Sequence, residues 1–258
     1  MAEWSFQVHS FLAPKAGLSD SECEDALGWN TRKQRFCVAD GATEGFDSRR
    51  WARLLVKHWL RSARPVTTPL VFSGWTQWVS SRFERHWRSR RLSWFAEERA
   101  RAGAFAAFVG LSFHESNEAL YWQVIALGDC CLLLRRDDQI VESIPLADPE
   151  SFNSRPILVP SKVDALETTA ASIVCRSGRV EPGDTYLLLS DAIAAWYLRS
   201  WRDDGSRLQA RAFEELIARG SYGELQVLVN AGRQSGLLRN DDIAAIVVCV
   251  RQDPDVSE

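Results

Sequence analysis

The sequence predicts an α+β fold, one domain in which helices cover antiparallel sheets, and three observations carry that reading. Strand-like segments dominate both ends of the chain. Helix-like segments stand in separate blocks, and no long unstructured linker divides them. With 258 residues, 46% hydrophobic and 25% charged, the chain can bury one sizeable core.

Taken in order, residues 4–11, 25–30 and 34–40 read as strands. A helix follows, with Trp51, Leu54, Leu55, His58 and Trp59 on one face and Asp47 or Ser48 as its N-cap. A second helical pattern repeats Trp75, Val79, Phe83 and Trp87 at four-residue steps, with Trp78 beside them. Its outer face carries Arg82, Arg85, Arg88, Arg90 and Arg91, diluted by Glu84, Glu97 and Glu98. Such a face is ordinarily solvated, and a surface for an acidic partner is the alternative.

From Ala104 the period changes to two, so that Phe105, Ala107, Val109, Leu111 and Phe113 share one side of a strand opposite mostly smaller residues. The segments ALYWQVIALG, CCLLLRR and QIVESIPL follow at hairpin distances. Residues 146–169, with Pro145 at their edge, read as an irregular excursion. Strands return at ASIVCRSGRV and TYLLLSD, helices at about 192–200, 208–219 and 222–235, and a strand over 243–250 closes the fold.

A net charge of −3 gives no global attraction to nucleic acid or anionic membranes. No segment approaches the roughly 18 apolar residues that span a bilayer, and the first residues lack the pattern of a signal peptide. Six cysteines without CxxC spacing read as buried free thiols of a reducing cytoplasm. Four scattered histidines and no HExxH or Cys/His cluster argue against zinc. Of eleven tryptophans, several sit at helical spacing and are expected to pack the core.

The chemistry sits at strand ends. FCVAD ends a strand on Asp40, TYLLLSD ends one on Asp191, VIALGD puts Asp129 in a tight turn, and NDDIAAIVVCV opens the last strand behind Asp241 and Asp242. Aspartate is a poor strand residue and costly to bury unpaired. In antiparallel sheets the end of one strand lies beside the start of its neighbour, so these edges can converge at one rim. Carboxylates gathered without cationic partners repel one another, and hard divalent ions relieve that, oxygen-only sites suiting Mg²⁺ and Mn²⁺. Each Asp taken singly is also readable as a turn former or helix cap.

The ordered blocks CEDAL, VADGAT, GDCCLLL, GDTYLLLSDA and NDDIAAIVV resemble the signature blocks of the metal-dependent protein phosphatases (PPM type, protein phosphatase 2C-like), most of all its short stand-alone bacterial members. The resemblance runs from about residue 20 to 250. It implies a four-layer αββα sandwich of two antiparallel sheets flanked by helices, with residues 1–258 forming one phosphatase domain. It also implies two Mn²⁺ or Mg²⁺ ions with a weaker third, and hydrolysis of phosphoserine or phosphothreonine monoesters by a metal-bridging hydroxide. By the same resemblance Asp40 bridges two ions, the Gly41 carbonyl binds one, and Asp191 and Asp241 ligate the second. Asp129 with Asp191 holds the third ion, Glu24 acts through water, Asp25 supports the rim, and Asp242 backs the ligands.

The implied partner is a phosphoprotein made by a Ser/Thr kinase, with no nucleic acid or membrane, in the cytoplasm. Three positions depart from the family's pattern. Ala42 stands where animal members have a His, and Asp20 stands near where a phosphate-gripping Arg is usual, which leaves Lys15, Arg32 or Lys33 for that task. Ala192 replaces a glycine after Asp191. A catalytically weak relative that binds a kinase or phosphoprotein is the alternative reading.

Overall fold

The computed structural model describes residues 4–63, 65–88, 90, 93–152, 155–203 and 206–252. Its strands are β1 (Trp4–Ala13), β2 (Ala26–Asn30), β3 (Arg35–Gly41), β4 (Phe105–Ser116), β5 (Ala119–Leu127), β6 (Cys131–Arg136), β7 (Gln139–Ile144), β8 (Val159–Pro160), β9 (Val174–Arg179), β10 (Thr185–Leu189) and β11 (Ile243–Gln252). The helices are α1 (Ser48–Arg61), α2 (Pro69–Arg88), α3 (Trp94–Ala102), the single turn α4 (Leu166–Thr169), α5 (Asp191–Arg202), α6 (Arg207–Ala218) and α7 (Tyr222–Gln234).

One sheet has the order β1-β11-β10-β6-β7, so the first and last strands lie side by side. The other has the order β2-β3-β4-β5-β9, with β8 paired to the start of β4. Every pairing is antiparallel.

Strand alternation decides the layering. Successive side chains point to opposite faces, and here both faces are apolar. Phe36, Val38, Val109 and Leu111 meet Leu132, Leu134, Leu188, Ile246 and Val248 between the sheets. On the reverse of one sheet, Cys37, Ala39 and Phe108 lie under Trp51, Leu55, Trp59 and Phe72. On the reverse of the other, Cys131, Leu133 and Leu187 lie under Ile193, Tyr197 and Phe213. The four-layer αββα sandwich expected from the sequence is therefore present. All six cysteines are free thiols, and no described helix is long and apolar enough to cross a membrane.

Two local expectations change, and the tryptophans divide between core and surface. The arginine-rich pattern after residue 69 is two helices: α2 ends at Arg88, and α3 starts afresh behind Ser93, whose hydroxyl caps Ala96 N–H; Arg91 falls outside the described residues. Asp47 is the N-cap of α1 in left-handed conformation, φ 54°, but its side chain caps no N–H. Trp29, Trp78 and Trp94 stay outside the core, 41, 45 and 78% exposed.

The side of β4 facing the helices carries small residues for a reason. A Cβ added at Gly110 would lie 2.6 Å from the buried indole of Trp59. Gly110→Ala should therefore destabilise the protein by about 1–3 kcal/mol through overpacking, read as a lower urea midpoint at unchanged m-value.

Candidate metal centre

The pairing registers bring the functional ends together. β1 ends where β11 begins (Ala13 opposite Ile243), β11 begins where β10 ends, and β10 ends where β6 begins. In the second sheet β2 begins at Ala26 opposite Ala39, near the end of β3, and β3 ends beside the start of β4, while β4 pairs onward with the end of β5. The turn from β5 to β6 crosses between the sheets, with Gly128 at φ 101° and Asp129 next in line. Asp40 leaves β3, Asp129 stands in the crossover, Asp191 opens α5, and Asp241 and Asp242 precede β11.

The result is a cleft of about 640 Å³ lined by Asp40, Gly41, Asp129, Asp191, Asp241 and Asp242 among others. Asp40, Asp129 and Asp191 each offer a carboxylate oxygen within 4.8 Å of the other two. A second cleft of similar size lies between β7 and α5, lined by Trp201, Arg202 and Arg207, with no comparable carboxylate cluster among the described residues.

Electrostatics inside the first cleft are severe. Asp40 keeps some access to the cleft yet is enclosed by protein. Burial, then the charges of Asp25, Asp191, Asp129 and Asp241, hold its carboxyl far above the usual range. Burial and the neighbouring Asp191 push Asp129 up to about 7. Burial likewise raises Asp191, against the pull of Arg239, whose guanidinium pairs with it. Its position in the first turn of α5 favours a negative charge there. Asp25 lies under the floor rather than on the rim: it is 1% exposed and neither oxygen has a hydrogen-bond partner. Oxygen-only donors that repel one another fit a hard divalent cation; Asp40, Asp129 and Asp191 are the residues placed to hold it.

Asp241 is not one of the three whose oxygens converge within 4.8 Å, though its charge acts on all of them. It pairs with Lys15 Nζ at 3.0 Å and with Arg239 at 3.4 Å. Asp242 is bound up in the scaffold, its two oxygens accepting Lys15 N–H and Glu24 N–H, each at 2.8 Å. Asn240 accepts Ala16 N–H, and Arg233 donates to the carbonyls of Pro14 and Asp241. The connection from β1 to β2 is thus stitched to the entrance of β11. Glu24 accepts the Thr43 hydroxyl at 2.6 Å, which also stands 3.4 Å from Lys15 Nζ. Gly41 has a packing reason of its own, since a Cβ there would lie 2.9 Å from the Ser48 backbone and 3.0 Å from the Glu24 carbonyl.

Of the cations considered from sequence, only Lys15 lines the cleft. Arg32 and Lys33 sit in the turn between β2 and β3, at the far end of that hairpin. Sequence reasoning passed over Arg239, Arg155 and Thr43, all of which line the cleft. Arg239, two residues before Asp241, carried the only local signal.

No protein-family profile matches the chain, and no curated protein matches its sequence. Its fold is that of the PP2C-type (PPM) serine/threonine phosphatases. The Mycobacterium tuberculosis serine/threonine phosphatase PstP/Ppp superposes with a TM-score of 0.62 at 14% identity, over 97% of this chain and 100% of that one. PppA, a key regulatory component of the T6SS in Pseudomonas aeruginosa, gives 0.60 at 19%, over 96% and 97%. The catalytic domain of PstP in complex with two manganese ions gives 0.57 at 14%, over 96% and 100%. At such identities the fold is what is shared.

Asp25 supplies a stability test. Its folded-state pKa is raised, so the folded protein prefers the neutral acid, and ionisation costs stability increasingly as pH rises above the unfolded value. In chelator, Asp25→Asn should stabilise the protein by about 1–3 kcal/mol at pH 8 and much less near pH 4, measured by urea unfolding.

Proposed function

We propose that this chain is a metal-dependent serine/threonine protein phosphatase, acting as one domain. The observation that carries the reading is the convergence of Asp40, Asp129 and Asp191 within 4.8 Å at the meeting of the two sheets of a PP2C-type fold. Asp40, the Gly41 carbonyl, Asp191 and Asp241 are the proposed ligands of two Mn²⁺ or Mg²⁺ ions, with Asp129 and Asp191 holding a weaker third. Divalent ions there would draw phosphoryl oxygens together and acidify a water for direct attack on phosphorus.

The rest of the work falls to side chains of the cleft. Lys15 and Arg239 are its paired cations, and both keep their positive charge firmly. For Lys15, burial works against the charge, but the Asp241 carboxylate, with Asp242 and Glu24, outweighs it. For Arg239, Asp191 and Asp241 do the same. We assign to them the grip on substrate phosphate that Asp20 cannot provide. Thr43 orients Glu24 through its hydroxyl, and Asp242 fixes the backbone of both Lys15 and Glu24. Ala42 brings no proton donor, and this favours a second reading, a regulatory module that binds a phosphoprotein with little turnover.

The test is Mn²⁺-dependent hydrolysis of a phosphothreonine peptide. Asp40→Asn and Asp191→Asn should each lower kcat at least about a hundredfold. Asp242→Ala should weaken Mn²⁺ binding by about 10–100-fold in calorimetry. Arg239→Gln should raise KM by about tenfold or more with a smaller change in kcat. Absence of Mn²⁺ binding at millimolar concentration would exclude the enzyme.

A further inference from the structure

Helix α1 carries Arg49, Arg50, Arg53, Lys57 and Arg61 in 14 residues and no acid, in a chain whose net charge is −3. Arg49, Arg53, Lys57 and Arg61 recur at every fourth position, which aligns them in one row along the helix surface. Like charges at that spacing cost helix stability, and an ordinary solvated face interleaves acids to avoid it. None of the four makes an ion pair among the described residues, and the one acid whose charge acts on Arg49 and Arg53 is Asp47, just ahead of the helix. Arg49 and Arg50 also keep a buried Nε–H without an acceptor.

Neighbouring elements reinforce the row. Lys33 Nζ reaches the Arg61 carbonyl at 3.1 Å, which prolongs it at one end. On α2, Arg82 stacks 3.3 Å above the exposed Trp78 ring, which meets His58 edge-on at 4.7 Å. Burial, then the charges of Arg82, Lys57 and Arg61, push His58 down to about 4, so the histidine adds no charge at neutral pH.

The row also starts at the cleft. Ser48, the first residue of α1, packs on Gly41, and Arg53 acts electrostatically on Cys23, one residue before Glu24. From Arg49 to Arg61 the helix rises about 18 Å, the span of about five or six residues of extended peptide.

We propose that the row Arg49, Arg53, Lys57 and Arg61 is a docking track for an acidic stretch of the substrate, about five or six residues long, flanking its phosphorylated residue. The proposal rests on the phosphatase reading and adds a substrate class to it: phosphosites beside runs of Asp and Glu. Nucleic acid is disfavoured as the occupant because the chain as a whole is negative and the cations form a single row.

Three phosphothreonine peptides decide the matter, one with five glutamates placed before the phosphoresidue, one with them after it, and one with glutamines instead. With Mn²⁺-loaded protein at low salt, one acidic peptide should show kcat/KM about tenfold above the glutamine control, the gain lying in KM and vanishing at high salt. Arg49→Gln/Arg53→Gln/Lys57→Gln should abolish the gain while p-nitrophenyl phosphate turnover and thermal midpoint are kept, and Arg53→Glu alone should reduce it. Fluorescence anisotropy with the unphosphorylated acidic peptide should show the same loss of binding.

Turnover of p-nitrophenyl phosphate with no preference among the peptides would overturn the track and leave the phosphatase. Tighter binding of a DNA duplex than of the acidic peptide, lost in the triple variant, would overturn the assigned partner. No turnover of any substrate, with acidic-peptide binding that depends on the row, would remove the phosphatase and keep the track.

Discussion

The mutual repulsion of carboxylates at one end of two packed sheets is the constraint on which the rest of the structure depends. Asp25, Asp40, Asp129, Asp191 and Asp241 act on one another's charge within a largely buried space. Such a grouping is unfavourable unless positive charge is supplied. The protein supplies part of it through Lys15 and Arg239, both directed to the Asp191 and Asp241 side. Burial still holds the carboxyls of Asp25, Asp40 and Asp129 above their ordinary range. Added positive charge, such as that of a hard cation, would relieve what burial and repulsion cost these carboxylates. That cost also implies a trade between stability and activity, since the groups that make the centre are among those that strain the fold.

Holding that arrangement takes a rigid surround. The two sheets are buried on both faces, and Trp59, packed on Gly110, locks α1 to β4. Asp242, Asn240 and Arg233 tie the β1–β2 connection to the start of β11 across more than 200 residues of sequence. Without these ties Lys15 and Glu24 would stand on an unanchored loop.

Much of this was legible in the sequence, for definable reasons. The apolar run at residues 36–39 and the period of two in residues 105–113 each announced a strand, because both patterns are carried by the local sequence. Asp40, Asp129 and Asp191 drew notice because each interrupts an apolar run. The break between α2 and α3 was hidden, since Trp87 continues the four-residue pattern almost to its end and Ser93 marks a new start only through its capping bond. Trp78, beside the four-residue row rather than in it, is 45% exposed. Arg239 and Thr43 were illegible as cleft residues because their partners, Asp191, Glu24 and Lys15, are distant in sequence. The unbroken row of cations on α1 was visible as letters but acquired meaning only when its start was found at the cleft.

The crossover at Gly128 and Asp129 carries one more implication. Asp40 lies near the end of β3 in one sheet, Asp191 and Asp241 flank β10 and β11 of the other, and Asp129 stands in the turn that passes between them. An ion gripped by this set would act as a rivet through the two halves of the sandwich, resisting any slide of one sheet over the other. The same rivet makes the ligand geometry a gauge of sheet alignment. Packing changes far out between the layers, nowhere near a carboxylate, would then be felt at the centre as altered spacing.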